Sequence, residues 1–145
     1  MKVEKLDRVA INVKNLDAAV KLFSDLFGIT FYQVPVKELE RNVTEHGDRP
    51  YEELVHKVFI SPTGLHLREE SSPVTKEGIF SFHLKVSNLE EAKAEMKAKG
   101  IRLMMEYTQG GQKGAVYSPD DLFGVRIVLV EYEGPSAIEA MLREK

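Results

Sequence analysis

Cysteine is absent from the 145-residue chain. Disulfide cross-links and thiolate chemistry are therefore excluded. No apolar run is long enough to span a bilayer, and the first residues lack the apolar core of a secretory signal. Basic charge is not in surplus, since 20 Lys and Arg stand against 23 Asp and Glu, a formal net charge of -3. Nonspecific nucleic-acid binding needs a basic surface, so neither nucleic acid nor membrane is an expected partner. No Gly-Lys-Ser or Gly-Lys-Thr follows the glycines at Gly110, Gly111 and Gly114, which read as a turn and not a phosphate loop. No Ser-His-Asp arrangement stands out. What remains is a chain with 43% hydrophobic residues, enough for a packed interior, and a cytoplasmic location as the default expectation.

The chain repeats itself. Val13-Lys14-Asn15-Leu16-Asp17-Ala18-Ala19 returns as Val86-Ser87-Asn88-Leu89-Glu90-Glu91-Ala92. Each copy follows a run of alternating apolar residues and leads to a glycine, Gly28 or Gly100. A duplicated unit is the first organising fact of such a chain.

Period two before each copy marks a strand. Val9, Ile11 and Val13 fall on one face, with Arg8, Ala10 and Asn12 on the other; Phe80, Phe82, Leu84 and Val86 oppose Ser81, His83 and Lys85. Asn15 and Asn88 are placed to cap helices, and Glu91 to complete a capping box. Leu16, Ala19, Val20, Phe23, Leu26 and Phe27 form one helical stripe; Leu89, Ala92 and Met96 form the other. Further strands are expected at 30–36, 56–60, 65–70, 102–107, 115–118 and 125–132. Residues 37–53 read as a long loop, with a short helix near Tyr51 to Leu54. Pro135 is placed to start a C-terminal helix with Ile138, Met141 and Leu142 on its apolar side. The organisation is thus a first βαβββ module over 1–73, containing loop 37–53, a second over 74–134, and a C-terminal helix over 135–145. This α+β chain is expected to form curved mixed sheets around an open cup. The helices should cover the apolar faces and leave the polar-parity residues inside.

The paired V-x-N-L-[DE]-x-A segments and the turn Asp121-Leu122-Phe123-Gly124 resemble the vicinal oxygen chelate superfamily, which includes glyoxalase I, methylmalonyl-CoA epimerase, extradiol dioxygenases and bleomycin-resistance proteins. The resemblance runs from about Lys5 to Glu133. It implies one divalent metal in the cup, held at positions that correspond to Arg8, His66, Ser81 and Val128. It also implies a homodimer and, for an enzyme, lyase or isomerase chemistry. The fold hosts many reactions, so it does not name one.

Arginine and valine offer no lone pair to a metal. No cofactor is therefore expected at the usual position, and the glyoxalase-like site reads as degenerate. The expected partner is instead a small organic anion, a carboxylate or phosphate, bound by Arg8, Asn12, Ser81, His83 and Arg126. The alternative is a displaced centre for zinc, nickel, iron or manganese at His66, His83 and Glu70, with Glu70 as the catalytic carboxylate of a lyase or isomerase.

Overall fold

The computed structural model describes residues 1–34, 40–47, 55–70 and 76–142, but not the side chains of Val55, His56 and Glu70. The expected short helix near Tyr51 to Leu54 lies outside the described residues. Among them, β1 (Val3–Val13), α1 (Leu16–Phe27), β2 (Tyr32–Val34), β3 (Glu40–Val43), β4 (Val55–Ile60) and β5 (Leu65–Glu70) make the first half. The second comprises β6 (Gly78–Val86), α2 (Leu89–Ala98), β7 (Leu103–Gln109), β8 (Gln112–Tyr117), the 3-10 turn Pro119–Asp121, β9 (Ile127–Glu131) and α3 (Ala137–Leu142).

The duplicated segments behave alike because the same local chemistry acts twice. Asn15 Oδ1 accepts from the Ala18 N–H and Asn88 Oδ1 from the Glu91 N–H, both at 3.0 Å. Gly28 (φ 64°) and Gly100 (φ 75°) take the left-handed conformation that follows a helix end. At the second helix, however, Glu131 accepts the Leu89 N–H, and the Glu91 carboxylate lies 3.8 Å from the terminal ammonium of Met1.

The described strands form one sheet in the order β2-β4-β5-β1-β6-β9-β8-β7-β3. β1 and β6 pair antiparallel at its centre, so the first and second halves of the chain join there. Glu40–Val43, expected as loop, is instead a strand on the far edge, paired with β7. That position forces the sheet to curl. Nine strands laid flat at about 4.8 Å spacing would separate β2 from β3 by roughly 38 Å. Five residues join Val34 to Glu40, and a chain that short reaches only about 20 Å.

The outer face carries two helices. α1 buries Leu16 with Val13 and Leu67, and Ala19, Val20 and Phe23 pack on the same cluster; Leu26 and Phe27 remain mostly exposed. α2 buries Leu89 and Ala92 against Ala115, Tyr117 and Leu129. α3 is different. Ile138 and Met141 pack on Val34, Val58 and Ile60, while Ala140 packs on Met105, Val116 and Val128. It therefore bridges the two arms of the curl on the inside. Ser136, not Pro135, begins it, accepting the Glu139 N–H on Oγ at 3.2 Å. Leu142 is half exposed.

Candidate functional site

The polar face of β1 is turned inward, as its alternation requires: Arg8, Ala10 and Asn12 are buried. Of the three register shifts between β1 and β6, two fall beside this face. Leu6 pairs with Leu84 and Arg8 with His83, leaving Asp7 as an extra residue on β1. Ala10 pairs with Ser81 and Ile11 with Ile79, leaving Phe80 extra on β6. A bulge lets two successive side chains face the same way. So Asp7 enters the interior beside Arg8, and Phe80 lines the cup with Ser81.

The result is a cavity of about 100 Å³ inside the curl. Val58, Ile60, Met105, Val116, Val128 and Met141 supply its apolar wall. Its polar wall is Arg8, Arg41, His66, Arg68, Ser81, His83, Tyr107, Gln109 and Arg126. None of the described lining residues is acidic. Of the residues expected from the sequence, Arg8, His66, Ser81, His83 and Arg126 meet here. Asn12 stands behind them, its Oδ1 accepting from Arg68 Nη1 at 3.1 Å. The Glu70 backbone pairs with Val55 at the end of β5, and its carboxylate lies outside the described side chains. Arg41, Phe80, Tyr107 and Met141 were missed. Each arrives through a pairing, a bulge or a helix docking that no local pattern encodes.

Arg8 does not present a free fork to the cavity. Its Nη1 donates to Asp7 Oδ2 at 2.6 Å and to Gln112 Oε1 at 3.0 Å; its Nε donates to His66 Nδ1 at 3.2 Å. Asp7 also accepts from the Tyr132 hydroxyl at 2.5 Å. The His66 and His83 rings lie 5.4 Å apart. Burial, then the adjacent Arg8 guanidinium, holds both imidazoles well below the usual histidine range, so both are neutral. His66 Nε2 and His83 Nδ1 are buried with no hydrogen-bond partner among the described residues. The guanidinium carbons of Arg68 and Arg126 lie 3.9 and 4.6 Å from the Phe80 ring centroid. Such stacking offsets part of the cost of burying cations.

Residues 7–117 match the glyoxalase/bleomycin resistance protein/dioxygenase superfamily. The chain belongs to that superfamily. No curated protein matches it in sequence. Among solved structures, a hypothetical protein from Bacillus halodurans is similar at 18% identity and a TM-score of 0.68, covering 91% of this chain and 96% of that one. Methylmalonyl-CoA epimerase from Mycobacterium tuberculosis matches at 21% identity and 0.65, covering 91% and 90%. Streptomyces coelicolor methylmalonyl-CoA epimerase with 2-nitronate-propionyl-CoA matches at 18% and 0.65, covering 92% and 100%. These likenesses establish the glyoxalase-like fold.

Superfamily members typically bind a divalent metal. The four positions that the resemblance assigns to it here, Arg8, His66, Ser81 and Val128, do border one cavity. Their chemistry does not fit a cation. Arg8 carries a fixed positive charge and Val128 has no lone pair. His66 Nδ1 is already accepting from Arg8. Among the described residues, no group of three or more His, Asp or Glu gathers as a metal site.

Proposed function

We propose that the chain binds a small organic anion with an apolar body in this cavity, without a resident metal. The observation that carries this reading is the lining itself: four arginines, two neutral histidines and, among the described residues, no acid. Asp7, next to Arg8 in the chain, is engaged by Arg8 and Tyr132. A recessed cationic surface with apolar walls concentrates anions. The apolar half of the lining favours a carboxylic acid with a hydrocarbon portion over inorganic phosphate. Arg68 and Arg126 grip the acid, with Asn12 holding Arg68 in place and Ser81 and His83 completing the wall. The displaced metal centre at His66, His83 and Glu70 is disfavoured, because any cation there would sit beside Arg8. A homodimer belongs to this proposal on the family resemblance alone.

Calorimetric titration tests it. Short-chain and aromatic carboxylates are expected to bind the wild type, and Arg126→Met to weaken them about tenfold or more, since a hydrogen bond to a charged group contributes about 1.5–3 kcal/mol. An acyl-CoA belongs in the same series, since solved relatives hold 2-nitronate-propionyl-CoA and methylmalonyl-CoA. Purified protein is expected to lack stoichiometric zinc, nickel, iron and manganese. Stoichiometric metal that is lost in His83→Ala would overturn the proposal.

A further inference from the structure

Arg8 sits at the cavity with Nε and Nη1 already engaged, which raises the question of what its charge does there. One arm reaches His66. Because Arg8 Nε donates to Nδ1, that nitrogen carries the lone pair, and the single proton of the neutral ring lies on Nε2. Nε2–H is buried and has no acceptor among the described residues. The second arm runs through Gln112, which is fully buried at the start of β8. Its Oε1 accepts from Arg8 at 3.0 Å, which turns its amide Nε2 toward the Tyr107 hydroxyl, 3.4 Å away. The Tyr107 oxygen is thereby an acceptor, and its own proton is left to donate elsewhere. Burial keeps that hydroxyl protonated. The Tyr107 ring is held over Gly114, where a Cβ would overlap it.

Both hydrogens belong to residues that line the same cavity. An unmet buried N–H is costly and calls for a partner. A preorganised pair of donors in a water-poor site stabilises negative charge on an oxygen.

Resting on the anion-binding reading above, we infer that Arg8 is a positioning residue: it fixes His66 Nε2–H and Tyr107 Oη–H as two neutral donors, and this pair receives a carboxylate oxygen of the ligand. The position that the family resemblance assigns to a metal ligand thus works in reverse, as a hydrogen-bond donor. Asp7 holds Arg8 by one guanidinium nitrogen, and the Tyr132 hydroxyl in turn donates to Asp7.

The experiment pairs nitrogen NMR of the imidazoles with calorimetry. In the ligand-free wild type, His66 is expected as the Nε2–H tautomer, and benzoate is expected to shift that proton downfield. Tyr107→Phe keeps the ring over Gly114 and removes one donor. It is expected to weaken benzoate about tenfold or more while leaving benzamide within about twofold, as loss of a charge-assisted hydrogen bond requires. Arg8→Lys is expected to leave His66 as a mixture of tautomers. Should Arg8→Lys fail to fold, the Tyr107→Phe and tautomer measurements still decide. An Nδ1–H tautomer in the wild type overturns the inference. So does equal benzoate affinity in wild type and Tyr107→Phe, which leaves the broader anion reading standing. Failure of every tested acid to bind the wild type overturns both.

Discussion

Asp7 and Arg8 are neighbours in sequence and partners in the interior, each about 3% exposed or less at the side chain. Breaking a buried pair strands the remaining charge, at a cost of roughly 3–5 kcal/mol. Asp7→Asn is therefore expected to lose stability on that scale in urea denaturation. His66 and His83 set the pH response. Their folded-state pKa values lie below the unfolded value, so the unfolded chain binds more protons as pH falls through about 6.5. Stability is expected to be fully present above that pH and to decline below it. His83→Phe should flatten the decline, read as urea midpoints between pH 5 and 8. Gly114→Ala meets the Tyr107 ring and is expected to destabilise by about 1–3 kcal/mol while weakening acid binding, because the ring that carries the inferred donor must shift.

At the scale of elements, the twin caps were readable and the strand pairings were not. Asn15 and Asn88 each satisfy one orphan amide of a helix start, and the residue type and position suffice to foresee that. Asn15→Ala and Asn88→Ala are each expected to cost about 1 kcal/mol by thermal or chemical denaturation. β3 illustrates the converse. Glu-Arg-Asn-Val has neither apolar alternation nor β-branched density, so nothing local marks it as a strand. Its order comes from backbone bonds to β7 and from the Thr44 hydroxyl donating to the carbonyls of Leu103 and Met104. The bulges at Asp7 and Phe80 belong to the same class. Alternation predicts a face for every residue, and one inserted residue is enough to reverse it.

The whole molecule is a curl bridged on the inside by α3. Met141 touches both the Val58–Ile60 wall and the cavity. Met141→Ala is expected to cost roughly 2–5 kcal/mol and to admit bulkier aromatic acids than the wild type, measured by denaturation and calorimetry side by side. A wider cavity with unchanged selectivity would argue that the ligand binds elsewhere.

Reading along the chain already yields the duplication, the helix caps, the alternating strands and the inward polar set of Arg8, Ser81 and His83. Each follows from chemistry within a few residues, where spacing alone sets geometry. It also yields the family, through two short motifs. The pairing of β1 with β6, the far-edge placement of β3 and the company Arg8 keeps are contacts between residues as many as 125 apart, as with Tyr132 and Asp7. Such contacts form only when the sheet closes, because burial selects partners by shape and unmet hydrogen bonds, not by position along the chain. That is why an arginine that reads as a ligand clamp in one dimension becomes, in three, the group that aims its neighbours.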